Sequence, residues 1–385
     1  MRLLRITTVS ISLRVLLRGQ LEFMTENGIE VLAVSAPGPD VKQLRVPFRA
    51  VGMTRAITPV RDLFALIQLM IIMIRFKPDV VHTHTPKAGL LGMLAAWFCR
   101  IPVRIHTIGG IPWLEFRGFK RRLLKWLEVL TIRVSTDTLI NSFNLRTILK
   151  SELPSIKDEI KVIGKGSTNG IDSKYFSSTP ELKAAADQLR IKLGISEGDK
   201  VFCFVGRLSL HKGITELVTA FDHIRQSYSG VHLLLVGYFD NERESLSPKL
   251  ELRIKRGDGI TVTGLVDDVR PWLTASDVLV FPTYREGFPN VLMQAGCLGV
   301  PIIASDINGC NEILSGNSFG TLIPPKDTKA LTAAMESFLQ NPDSFKNKAA
   351  QLRSYIIGNF DQALIWQELL NFYRNKIHPK KIFPK

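Results

Sequence analysis

The amino-acid sequence predicts two open α/β domains, each a parallel sheet covered on both faces by helices. Three observations carry this. Short β-branched runs alternate with longer segments of helical period along the whole chain. The strand runs are apolar throughout, as parallel strands are when both faces of their sheet are buried. Finally, 385 residues exceed what one hydrophobic core usually takes, and a turn-rich joint interrupts the pattern.

In the first half, strands are expected over 3–8, 30–35, 80–83, 103–107, 138–141 and 160–163. Amphipathic patterns over 20–26, 62–74 and 87–98 lie between them. The longest apolar run, 63–74, contains Gln68 and falls short of the roughly twenty residues that span a bilayer, so it reads as a buried helix. The joint lies near 164–180, where Gly164, Gly166, Ser167, Asn169 and Gly170 supply turn chemistry and Thr179-Pro180 opens a helix. The second half repeats the pattern, with strands over 201–205, 232–236, 260–262, 278–281 and 301–304. A last helical pattern covers about 362–373, and 376–385 reads as a frayed basic tail. The expected domains are therefore 1–175 and 176–359; whether a helix within 360–385 packs back on the first stays open. Ligands of such sheets bind at the carboxyl ends of the strands, here expected in a cleft between the two domains.

Composition narrows the class. Hydrophobic residues make up 45% and charged residues 22% of the chain, ordinary values that exclude collagen, coiled coil and disorder. Four cysteines, at 99, 203, 297 and 310, are too few and scattered for a disulfide scaffold or a zinc ribbon, so a reducing compartment is expected. Arg2, Arg5 and Arg14 interrupt the N-terminal apolar residues, no signal peptide is readable, and a cytoplasmic location is expected. The net charge is +15, with 26 basic against 13 acidic residues through position 175 and 24 against 22 after it. A basic excess confined to one half predicts a face turned toward something anionic. Nucleic acid is not the expected partner, since no RNA-recognition signature or zinc finger accompanies the charge.

The most informative stretch is 278–313. A strand delivers Thr283, Tyr284, Arg285, Glu286, Gly287, Phe288, Pro289 and Asn290 at its carboxyl end, and a helix over 291–297 follows. Gly287 permits a tight turn, and Pro289 suits a first helical turn. The N–H groups that open this helix favour an anion, and Glu286 can accept from ligand hydroxyls. Arg207 and Lys212, at an earlier strand–helix junction, offer a planar fork and a mobile point charge for phosphate. Taken alone, these residues would read as a solvated turn and a solvated basic loop.

They do not stand alone. The stretch resembles the glutamate-x7-glutamate region of the family 4 retaining glycosyltransferases. Similar segments follow the family's order: Gly206-Arg207-Leu208 with Lys212-Gly213, then Leu234-Leu235-Val236-Gly237, Thr263-Gly264-Leu265 and Ala275-Ser276-Asp277. Pro78-Asp79-Val80-Val81-His82-Thr83-His84 and Asn169-Gly170-Ile171-Asp172 are also similar. The resemblance covers nearly the whole chain and is strongest over 200–313. It implies the GT-B fold, two Rossmann-like domains facing across a cleft. It further implies transfer of a sugar, with retention, from a nucleotide diphosphate sugar to a glycan or lipid-pyrophosphate-linked acceptor in capsule, polysaccharide or glycolipid assembly. Uridine diphosphate sugars are the commonest donors of the family, and neither a metal nor a cofactor is expected. In the same fold, a nucleotide-sugar 2-epimerase and a degenerate transferase that only binds are the alternatives.

Carried over residue by residue, the resemblance assigns catalysis to His106, Arg207, Lys212 and Glu286. Donor contacts extend through Gly206, Gly287, Phe288, Pro289, Asn290, Val291 and Gln294. Gln294 stands where the family places its second, ribose-binding glutamate, leaving an amide in place of a charge. His106, ending the strand from 103, is implied against the donor sugar; a core-edge histidine is the other reading. Of His82 and His84, which alternate on one strand, only one is expected to face the cleft, and nothing completes a zinc site with them. Asp267-Asp268 fits a helix start at least as well as a metal pair. The family's glycine-rich loop after the first strand is missing. Thr7, Thr8, Val9, Ser10, Ile11 and Ser12 stand there, and backbone N–H groups with the two serine hydroxyls are the expected substitutes.

Residues 113–133 explain part of the basic excess. Phe119, Leu123, Trp126, Leu127 and Leu130 recur at helical spacing beside Arg117, Lys120, Arg121, Arg122 and Lys125. A basic amphipathic helix with tryptophans at its edge suits an anionic membrane surface, placing the chain peripherally on the inner face of the cell membrane. A core stripe with a solvated basic face is the equal alternative.

Overall fold

A computed structural model describes residues 1–156, 160–240 and 244–377. The chain forms two units, one of residues 1–170 with the segment from 362 onward, the other of residues 171–361. The break falls at 170 rather than 175, and the return at 361 rather than 359. Ile171 fixes both positions: its N–H donates to Phe360 O at 2.8 Å, and it forms a parallel bridge with Asp361.

The first unit holds seven strands: β1 (Arg2–Ile6), β2 (Glu30–Ser35), β3 (Phe48–Ala50), β4 (Val80–His84), β5 (Val103–Ile108), β6 (Asp137–Ile140) and β7 (Ile160–Val162). Their order is β3-β2-β1-β4-β5-β6-β7 and every pairing is parallel. The order reverses between β1 and β4. The helix Gln362–Ile377 belongs to this unit, where Leu369, Leu370 and Tyr373 share a buried cluster with Leu3, Val31, Val80 and Val103. Of the expected tail, Lys376 lies in that helix, and 378–385 lie outside the described residues.

Two helices of this unit depart from expectation. Pro59–Phe76 opens with proline and ends at Lys77 in the left-handed region (φ 50°). It buries Ala65, Leu69 and Met73, yet Leu63, Phe64, Ile67, Ile71 and Ile74 are exposed, so the run read as a buried helix is buried on one face only. A helix against a sheet covers a single stripe, and here the opposite stripe is apolar as well. In the basic segment, Trp113 is interior, in a short turn before the helix Gly118–Val134. Arg121 and Lys125 pair with Glu152 at 2.8 and 2.9 Å, while Phe119 and Trp126 are exposed. Among the described residues, no helix is long and apolar enough to cross a membrane.

The second unit holds β8 (Lys200–Val205), β9 (Val231–Val236), β10 (Ile260–Val262), β11 (Val278–Phe281), β12 (Ile302–Ser305) and β13 (Thr321–Ile323). Their order is β10-β9-β8-β11-β12-β13, again all parallel. One continuous core of buried Val, Ile, Leu and Phe lines both faces. β3 and β13, absent from the sequence-based reading, are three-residue edge strands without the Ile-x-Val alternation of the equally short β7 and β10.

Candidate active site

In the second sheet β8 and β11 are neighbours although two strands separate them in sequence, so the strand order reverses there. Open parallel sheets bind ligands outside the carboxyl ends at such a switch point. From β8 the chain runs into Gly206, Arg207 and the turn Leu210–Lys212; from β11 it runs through Thr283 and Glu286 into the helix Asn290–Cys297. Glycine lets these loops converge. A Cβ on Gly237 would collide with Gly206 O, and one on Gly213 (φ 70°) with Pro282 O.

Four predicted residues meet here. Lys212 Nζ and the Glu286 carboxylate form an ion pair. Thr283 Oγ1 donates to the same carboxylate at 3.0 Å, and Asn308 Nδ2 donates to Glu286 O. Gly206 and Arg207 leave the adjacent strand, and the Arg207 guanidinium pairs with Asp240. Lys212 and Glu286 keep side-chain exposures of 14% and 16%, and Arg207 36%, so water reaches all three.

A second layer braces these loops. Glu244 takes Arg285 Nη2 at 2.8 Å and pairs with His211 Nδ1. Burial pushes the Glu244 carboxyl up, but His211 and Arg285 outweigh it and hold the group below its usual value. Burial, helped by Lys212, lowers the His211 imidazole. Tyr284 donates to Glu216 at 2.6 Å, and burial raises its phenol. Asp240, Asn308 and Glu244 escaped the sequence reading, and Thr283 was named there without a role. Asp240 carried a usable signal, a carboxylate just past the end of the strand beside β8.

The remaining donor residues divide. Asn290 and Gln294, one helical turn apart, share a half-exposed face, and no side chain caps the amino end of their helix. Gly287 is half-exposed in the turn. Phe288 and Pro289 are buried, the Phe288 ring packing on Phe360 with centroids 5.4 Å apart, and Val291 packs against the core. These three offer backbone rather than side-chain contacts.

His106 lies in the first unit and differs from the expectation of a ring held out at a strand end. It is 2% exposed, with Nδ1 2.9 Å from Thr83 Oγ1 and Nε2 3.5 Å from the buried Glu128. A Cβ at Gly89 would strike the ring, so the imidazole fills the space between sheet and helix. His82 and His84 correct a second expectation. Residues two apart on a strand share a face, and these rings stack with centroids 4.5 Å apart. His82 contacts Tyr373 OH at 2.5 Å and Thr107 Oγ1 at 2.6 Å. The fully buried Arg5 donates to Tyr373 OH at 2.5 Å and Gln20 Oε1 at 2.7 Å, with His84 Nε2 also at 2.7 Å. Burial, reinforced by Arg5, drives both imidazoles well below their ordinary pKa.

In the loop after β1, Thr8 Oγ1 pairs with Thr85 at 2.7 Å and Ser10 donates to Asp40 at 2.9 Å, so those hydroxyls are already engaged. Asp268 accepts the Arg270 N–H at 2.9 Å and opens the helix Arg270–Thr274. Among the described residues, no three His, Cys, Asp or Glu side chains gather as a metal site.

Comparison with known proteins identifies the family. The family described as "Glycosyl transferases group 1" matches residues 199–341, and a "Glycosyl transferase 4-like domain" matches residues 14–142. The chain is 30% identical to the capsular polysaccharide biosynthesis glycosyltransferase CapM of Staphylococcus aureus, over 97% of this chain and 96% of that protein. It is 29% identical to the UDP-Gal:alpha-D-GlcNAc-diphosphoundecaprenol alpha-1,3-galactosyltransferase of Escherichia coli, over 74% of this chain and 72% of that one. In fold it matches HepE of Anabaena in complex with UDP, with a TM-score of 0.80 and 19% identity over 97% and 99% of the two chains. The sucrose-phosphate synthase of Thermosynechococcus elongatus matches equally well, with a TM-score of 0.80 and 20% identity over the same shares. These likenesses do not favour the epimerase or binding-only alternatives. The chain belongs to the group 1 glycosyl transferases, family 4 of the GT-B fold, and is a glycosyltransferase.

Proposed function

We propose that this enzyme moves a sugar, with retention and without a metal or cofactor, from a uridine diphosphate sugar to an acceptor carried on a lipid pyrophosphate. The observation that carries the reading is the Lys212–Glu286 pair at the β8/β11 switch, with Arg207 on the adjoining loop. As the glycosidic bond breaks, negative charge grows on the leaving diphosphate, and cations already fixed there lower the barrier. On donor binding Lys212 exchanges Glu286 for a phosphate oxygen, and Arg207 turns its fork from Asp240 in the same way. Glu286, still oriented by Thr283, is then free to accept sugar hydroxyls. The amino end of the helix Asn290–Cys297 adds N–H dipoles. Asn290 and Gln294 meet the ribose side of the nucleotide. His106, enclosed as it is, acts in this scheme through Thr83 and Glu128 rather than on the donor.

The choice of nucleotide and acceptor draws on the relatives, one named for UDP-galactose and a diphosphoundecaprenol acceptor, another crystallised with UDP. For the acceptor's membrane, exposed Phe119 and Trp126 beside Arg117, Lys120 and Arg122 form a basic, apolar-tipped surface. A thermal-shift panel of nucleotide sugars tests the donor: a ligand of the folded state raises the melting temperature. Stabilisation by uridine diphosphate sugars above adenosine and guanosine ones is the expected result; no shift with any nucleotide sugar overturns it.

A further inference from the structure

Asn141 follows β6 and is 6% exposed, yet its Oδ1 has no hydrogen-bond partner among the described residues. A buried amide oxygen left that way carries its full desolvation penalty. Asn141 lines a cavity of about 20 Å³ with His84 and Thr107 of β4 and β5, Ser167 and Thr168 of the joint, and Ile365 and Leu369 of the last helix. Which groups donate into this space follows from Arg5. A guanidinium only donates. Tyr373 OH, 2.5 Å from Arg5 Nη1, therefore accepts from it and sends its own proton to His82 Nδ1 at 2.5 Å. Burial keeps His82 neutral, so its one proton sits on Nε2 and goes to Thr107 Oγ1 at 2.6 Å. The Thr107 proton then has no acceptor among the described residues. His84 obeys the same logic. Its Nε2 accepts from Arg5 at 2.7 Å, so the neutral ring carries its proton on Nδ1, which also has no partner among the described residues. Thr107 and His84 stand opposite each other in the register of β4 and β5. Two donors and one acceptor, each unpaired, therefore border one small polar space.

We propose that this space is a binding site for one ordered water, which accepts from Thr107 Oγ1–H and His84 Nδ1–H and donates to Asn141 Oδ1. Three hydrogen bonds are the usual complement of a buried water, and the volume holds about one molecule. Only a neutral ligand that both donates and accepts serves all three groups. A halide leaves Asn141 Oδ1 without a donor, and a cation faces two donors beside the fully buried Arg5. The bound water carries the Arg5 network from the last helix to the ends of β4, β5 and β6. It also brings that network to the turn at Ser167 and Thr168, just before the chain leaves the first unit at Gly170.

The test is a crystal structure of the full chain grown with bromide as the added halide, with anomalous data at the bromine edge. The expected result is one density peak within hydrogen-bond reach of Thr107 Oγ1, His84 Nδ1 and Asn141 Oδ1, without anomalous signal. An anomalous peak there overturns the water in favour of an anion held beside Arg5. No peak, or a peak that misses Asn141, overturns the site. In solution, Asn141→Leu fills the space and strands both donors, and is expected to lower the melting temperature by roughly 2–6 °C. Asn141→Ser keeps an acceptor oxygen and room for the water, and is expected to recover most of that loss. Equal melting temperatures for wild type and Asn141→Leu would show that no bond depends on the water, and the proposal falls.

Discussion

The two units repeat one topology and treat charge in opposite ways. At the switch of the second sheet, Lys212–Glu286 and Arg207–Asp240 pair on loops that water reaches. At the switch of the first, between β1 and β4, Arg5 is fully buried and held by Tyr373, Gln20 and His84, none of them a carboxylate. A pair at the water's edge can trade one partner for a ligand ion at little cost. A buried cation resting on neutral acceptors cannot be released without opening the core around it. The contrast assigns reactivity to the second switch and cohesion to the first, where the network ties the helix Gln362–Ile377 to strands β1 and β4.

If that division is right, substitutions at the second switch change rate and leave stability alone. Lys212→Ala, Glu286→Ala and Arg207→Ala are each expected to lower steady-state transfer on the order of a hundredfold, with an unfolding transition close to wild type. Near-normal transfer by all three would erase the contrast. At the first switch the reverse is expected. Tyr373→Phe removes the hydroxyl shared by Arg5 and His82 and should cost about 2 kcal/mol in denaturant unfolding, with donor affinity unchanged.

Acid sharpens the comparison further. His82 and His84 are kept neutral in the fold but take up protons below the ordinary imidazole value of 6.5 once unfolded. The unfolded state then binds more protons, so stability is full above that pH and declines as pH falls toward the folded-state values. Each imidazole accounts for up to about 1.4 kcal/mol per pH unit. Replacing His84 with glutamine should flatten the slope in unfolding measured across this range. The smallest effect is expected at Gln294. Its change to alanine should raise the donor KM roughly two- to tenfold, as loss of one hydrogen bond does, with kcat little altered.

Much of this was legible in the sequence because parallel strands are continuously apolar and their helices amphipathic. The central strands and the helix 20–26 emerge from period alone. β3 and β13 do not: neither has the Ile-x-Val alternation that marks the equally short edge strands β7 and β10. The helix Pro59–Phe76 misled for another reason: with both stripes apolar, periodicity cannot say which one the sheet covers. In the site, Arg207, Lys212 and Glu286 were expected only through the family resemblance. Their partners were not, because Asp240 and Asn308 reach them through strand order rather than sequence distance. His106 stood out as a histidine at a strand end, yet the space left by Gly89 and the carboxylate of Glu128 draw its ring inward. Nothing local signals that Arg5 is buried, since its partners lie as far away as Tyr373.

The most direct test of the second switch as the diphosphate site is calorimetric titration of the full chain with uridine diphosphate and with uridine, for wild type, Arg207→Ala and Lys212→Ala. The expected result is tighter binding of the diphosphate by wild type, with most of that advantage lost in both variants and uridine affinity unchanged. Diphosphate binding that survives both substitutions intact would contradict the assignment.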